Sequence, residues 1–77
     1  MTELPVVNSR QVIRALEKAG FAVHHVRGSH YYLKHPRDPT LRVTVPFHRQ
    51  DLKRGTLRAI LRDAGLSVDE LVGLLRL

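Results

Sequence analysis

The chain carries five histidines, and two of them lie in the ten-residue segment RGSHYYLKHP at positions 27–36, alongside two tyrosines. His30 follows Gly28 and Ser29 at the mouth of a β-prone run. A glycine there allows close backbone approach and leaves the imidazole accessible. Histidine titrates near pH ~6.5, so it can move protons at neutral pH. RNA supplies its own nucleophile in the 2′-hydroxyl, so one imidazole, with cations to steady a phosphorane, could cleave it without a metal. A solvated side chain at a strand end is the plainer use of the same residue. Metal ligation is not expected. Cysteine is absent, the adjacent His24 and His25 should point to opposite faces of a strand, and so should His30 and His35. No carboxylate lies within HYYLKH, so a zinc site would need ligands from several elements. Neither metal nor cofactor is expected.

The elements that must position these residues can be read from periodicity. Residues 1–7, MTELPVV, form a lead-in. Asn8 or Ser9 can cap a helix, and Asn8 with Gln11 has the spacing of a capping box. Val12, Ile13, Leu16 and Ala19 make one apolar stripe, and Gly20 stands at the C-terminal cap. The period then changes to two. FAVHHV and HYYLKH flank the turn RGS as a hairpin, PRDPT is a second turn, and LRVTVPF is a third strand. Helical period returns with Leu57, Ile60, Leu61 and Ala64, and Arg54, Arg58 and Arg62 form a cationic ridge if this helix starts early enough. Ser67 with Glu70 caps a short last helix over about 67–75, in which Val68, Leu71, Val72 and Leu75 face the core and Leu74 and Leu77 are extra apolar surface. The fold class is α+β in the order α-β-β-β-α-α: a three-stranded antiparallel sheet with helices packed on one face.

Alternation sorts the strand residues. If Leu41, Val43 and Val45 face the helices, so do Tyr31 and Leu33, with Phe21 and Val23 from the first strand. His24, His30, Tyr32, Lys34 and Arg42, with His48 beyond the third strand, then share the open face. Cations interleaved with an aromatic ring suit single-stranded RNA, where phosphates meet charge and bases stack. A sheet with one wet face must carry polar groups there in any case.

Seventy-seven residues make one domain with a small core, so an active site should be shallow and work on something lying across the surface. Thirteen Lys and Arg against seven Asp and Glu give a net charge of +6, the balance expected of a protein with a polyanionic partner. No apolar run approaches a membrane span and the N-terminus lacks a secretory signal, so a cytoplasmic protein is expected.

SRQVIRALEKAGF, RGSHYYLKHP, VTVPFH and LKRGTLRAILRDAGLS, in this order, resemble the HicA (YcfA-like) toxins of bacterial type II toxin–antitoxin systems over residues 9 to about 67. The resemblance implies a fold like that of double-stranded-RNA-binding domains and the activity of an mRNA interferase that cleaves RNA without a bound metal and arrests translation. It also implies neutralisation by an antitoxin of the HicB type. The family's catalytic histidine corresponds to His30, Gly28 and Ser29 match its flanking positions, and His48 matches a Val-Pro-x-His position with a supporting role. With these, Tyr32, Lys34 and Arg42 are the residues expected to contact RNA.

Two other classes are compatible with parts of the chain. A non-catalytic RNA-binding module would use the same surface without turnover. A helix-turn-helix DNA-binding regulator is suggested by GTLRAILRDAGLSVDELVGLL, but its second helix offers Asp69 and Glu70 and no Lys, Arg, Asn or Gln before Arg76, so direct DNA readout is not expected.

Overall fold

The first helix begins where two side chains can satisfy its free N–H groups. Gln11 N–H donates to Asn8 Oδ1 and Asn8 N–H donates to Gln11 Oε1, both at 2.9 Å, the reciprocal pair that defines a capping box. Helix α1 (Ser9–Lys18) buries Val12, Ile13, Ala15 and Leu16. The computed structural model describes residues 2–77. Met1, the first residue of the expected lead-in, lies outside them. Two residues of that segment join the core, since Leu4 and Val7 are buried while Val6 is exposed, and Leu52 N–H donates to the Val7 carbonyl at 2.9 Å.

Strands β1 (Ala22–Arg27), β2 (His30–His35) and β3 (Asp38–Pro46) form an antiparallel sheet in the order β1-β2-β3. The α+β class, the element order and the packing of helices on one sheet face are as the periodicity predicts. Leu33 lies between Val23 and Val43, and Tyr31 between Val26 and Val45. Leu33, Val43 and Val45 are fully buried. Val23 and Val26 turn to the same side but remain 38% and 49% exposed, because the helices pack chiefly towards β3 and leave the outer strand uncovered.

The third strand starts earlier than its apolar pattern indicates. It begins at Asp38 rather than Leu41, which reduces the expected PRDPT turn to Pro36 and Arg37. The register passes from Lys34↔Arg42 to His35↔Asp38, so extra residues bulge out of β3 on an edge of the sheet. A proline without an N–H is tolerated at such a bulge, and Asp38 Oδ1 accepts from Thr40 N–H at 3.1 Å within it. Thr40 Oγ1 also donates to Asp38 Oδ1 at 2.5 Å, and the hydroxyl first, then the N–H, holds the Asp38 carboxyl below its ordinary range.

Helix α2 (Arg54–Ala64) buries Leu57, Ile60, Leu61 and Ala64 and does start early enough to display Arg54, Arg58 and Arg62 to solvent. Ser67 and Glu70 cap α3 (Val68–Leu75) reciprocally at 2.9 and 3.0 Å. The apolar face of α3 departs from expectation. Leu71 is fully buried, and Val68, Leu74 and Leu75 rather than Val72 pack against the core. Helix α3 lies on α1 instead of on the sheet, which brings Leu74 into contact. Lys18 Nζ donates to the Leu74 and Leu77 carbonyls and ties the two helices together. Among the described residues, no helix is long and apolar enough to cross a membrane.

Candidate functional site

A two-residue turn places His30. Gly28 has φ +58° and Ser29 a negative φ, and Arg27 pairs directly with His30 across the turn. A positive φ at the first central residue is the requirement of a type II′ hairpin, whose twist suits the flanking strands. A Cβ added at Gly28 would meet nothing within 4 Å. The glycine therefore serves the backbone conformation, not the close backbone approach its position next to the strand suggests.

The turn is anchored from beneath. Phe47 N–H donates to the Ser29 carbonyl at 2.6 Å. Ser9 Oγ donates to the Pro46 carbonyl at 2.6 Å and accepts from His48 N–H at 3.3 Å. Pro46 is the partner of His30 across the β2–β3 ladder. Ser9 is the sole fully buried polar side chain among the described residues. It thus fastens the start of α1 to the end of β3, and so to the His30 turn. Sequence reasoning read Ser9 only as a possible cap. Its spacing of three, four and seven residues from Val12, Ile13 and Leu16 was the available signal, because a serine on an apolar stripe must find a partner.

His30 itself is exposed, on the open face with Tyr32, Lys34, Arg42 and Thr44, as alternation predicts. Arg27 was missed. Its pairing with His30 across the turn puts its side chain on the same sheet face as the imidazole. A two-residue turn implies this pairing, so the residue was legible once the turn length was known.

The expectation for His24 and His25 is corrected by the register. Val23 pairs with Leu33 and His25 with Tyr32, leaving His24 as an extra residue in a β-bulge. A bulge interrupts the strict alternation of side chains, so both rings reach the open face. His25 stacks on Tyr32 with centroids 4.4 Å apart and an interplanar angle of 11°. His24 meets His25 edge-on at 5.2 Å. The Lys34 ammonium, with smaller effects from desolvation, His25 and Arg42, holds the His24 ring below its ordinary pKa, which keeps it deprotonated near neutrality. These residues and Thr44 line a cleft of about 210 Å³.

His35 and His48 have structural partners. His35 points to the helix side, meets Phe21 edge-on at 5.1 Å, and accepts from Arg37 N–H at its Nδ1 at 3.2 Å. A Cβ at Gly20 would come within 2.7 Å of His35 Nε2, so the glycine makes room for this ring. His48 lies beyond β3, exposed, with Nδ1 2.9 Å from the Gln50 carbonyl. A carbonyl only accepts, so Nδ1 carries the proton and Nε2 is left free. Among the described residues, no group of three or more His, Cys, Asp or Glu is arranged to hold a metal ion.

The site thus consists of an accessible imidazole, cations from all three strands and a cluster of rings, with no carboxylate lining the cleft. It can bind an anionic, aromatic polymer and move a proton within it. The chain matches the family model described as HicA toxin of bacterial toxin-antitoxin over residues 9–66. Comparison with curated proteins finds no match. The matched span runs from the first residue of α1 to the loop after α2 and includes the whole sheet and the His30 turn. The chain belongs to the HicA toxin family.

Proposed function

We propose that the protein is the ribonuclease of its toxin–antitoxin pair, an mRNA interferase in which His30 is the catalytic residue. The observation that carries this reading is an exposed imidazole on a hydrogen-bonded turn, paired with Arg27 and sharing a sheet face with Tyr32, Lys34 and Arg42. The RNA 2′-oxygen attacks the adjacent phosphorus while the P–O5′ bond breaks, leaving a cyclic phosphate and a 5′-hydroxyl. His30 moves one of the two protons this exchange requires, either from the attacking 2′-hydroxyl or to the departing 5′-oxygen. Arg27 steadies the charge that gathers on the phosphorane. Gly28 and Ser29 hold the turn, and Tyr32, Lys34 and Arg42 bind the strand. His48, fixed at its backbone by Ser9, supports the site through its free Nε2. The substrate is messenger RNA in the cytoplasm, on a fold resembling double-stranded-RNA-binding domains.

Control comes from a partner in this reading, since His30 is exposed and none of the described residues covers it. An antitoxin of the HicB type covers the His30 face with an acidic surface, so that charge speeds capture and also blocks RNA. In hydrogen exchange on the complex, protection at residues 28–34 and 42–48 supports occlusion. Protection confined to residues 66–77 refutes it.

The test is induced expression of the wild type beside His30→Ala, with cleavage of a long RNA by both purified proteins in the presence of chelator. Wild type arrests growth and cleaves RNA, whereas His30→Ala does neither and melts at the same temperature. General acid–base catalysis is worth about 10²–10⁴-fold, so the loss is large. Equal toxicity of the two proteins would overturn the assignment, and so would equal inactivity on RNA, which is the outcome for a pure binding module.

A further inference from the structure

The cleft beside His30 has the chemistry of a nucleotide site, and the bulge in β1 makes it so. With regular alternation His25 would face the helices, as Val23 does. The extra residue sends both His24 and His25 to the open face, where they join Tyr32 in a cluster of three rings. Bulges commonly re-aim side chains next to functional sites. Lys34 and Arg42, paired across β2 and β3, also line the cleft. Thr44, the cross-strand partner of Tyr32, adds a hydroxyl.

We infer that this cleft is a base-binding subsite, holding the nucleotide next to the one that reacts at His30. The base lies against the Tyr32–His25 stack and its phosphate lies on Lys34 and Arg42. Three features favour a single base as the occupant. At about 210 Å³ the cleft falls below the roughly 300–1,000 Å³ of sites for larger organic ligands. Its walls are aromatic and its charged groups are all cationic, which matches a ring that carries a phosphate. Tyr32 is two residues from His30 on one strand face, about 6.6 Å along β2, a separation suited to neighbouring nucleotides of an unstacked strand.

The inference rests on the ribonuclease reading for the role of His30, but its test does not depend on turnover. The full chain carrying His30→Ala is titrated with a single-stranded RNA of about ten nucleotides, within the usual span of such sites. The series is repeated with one abasic ribose moved along the strand, at fixed salt. One abasic position weakens binding by about 5- to 140-fold, the effect of losing one stacked base. Tyr32→Ala and His25→Ala each bind the intact and abasic strands alike. Equal affinity across the abasic series would overturn the subsite, as would full discrimination retained in both variants. The series uses folded protein throughout, so the first outcome stands even if a variant misfolds. Discrimination by His30→Ala with no cleavage by wild type leaves the subsite intact and defeats the catalytic reading. Cleavage by wild type without discrimination has the reverse meaning.

Discussion

Along β2, neighbours one residue apart are held by different physics. Leu33 is fully buried between Val23 and Val43, and half-buried Tyr31 stacks on Phe47 at 4.9 Å. On the opposite face His30, Tyr32 and Lys34 meet solvent, one another's strand neighbours and charge. The helix-covered face is determined by volume and the expulsion of water, which tolerate little change. The open face is determined by which groups point outward together, and its residues can change without disturbing the core. The same six-residue strand therefore separates stability from function by parity alone.

The strongest test of that separation is a pair of adjacent substitutions. Leu33→Ala removes a fully buried side chain and should destabilise the fold by about 2–5 kcal/mol, read by chemical denaturation. Lys34→Ala, one residue on, should leave the denaturation midpoint nearly unchanged. Comparable losses would show that the two faces are not independent.

Ser9 sits where the two faces meet. Ser9→Ala leaves the Pro46 carbonyl and the His48 N–H without their partner, at a cost of about 1–3 kcal/mol. Because these groups hold the end of β3 beside the His30 turn, RNA cleavage should fall as well, measured at a temperature where the variant is fully folded. Ser9→Thr keeps the hydroxyl and should restore cleavage more than stability. Undiminished cleavage by Ser9→Ala would confine the residue to the core.

On the open face the expected effects are smaller and electrostatic. RNA affinity should fall with salt, and Lys34→Ala or Arg42→Ala should flatten the log–log slope by about 0.7, the value of one phosphate contact on a single strand. An unchanged slope would assign these cations to a protein partner. Lys34→Ala should also raise the titration midpoint of His24 towards its ordinary value near 6.5, because the Lys34 ammonium is the chief group depressing it. The midpoint is read from the ring resonance by NMR. With the folded pKa depressed, the unfolded chain takes up this proton first on acidification. His24 therefore favours folding above its ordinary pKa and loses that contribution as the pH falls below it. A midpoint unmoved by Lys34→Ala would place another group beside the ring.

Much of this was legible in the residues, because the signals are local. The capping boxes of Asn8 with Gln11 and Ser67 with Glu70 close over three residues, and a run that alternates along β2 alternates whatever it pairs with. Such signals sufficed for the element order and for His30, Tyr32, Lys34 and Arg42 sharing the open face. The remaining features depend on partners distant in sequence. The bulge that brings His24 beside His25 exists only in the register between β1 and β2. The early start of β3 at Asp38 depends on a shift against His35. The bond from Ser9 to Pro46 spans 37 positions, and α3 turns Leu74 inward only because it lies on α1. Hydrogen bonds and stripes within one element are written in neighbouring residues, whereas a register or a packing angle is a compromise among several elements that no one of them encodes.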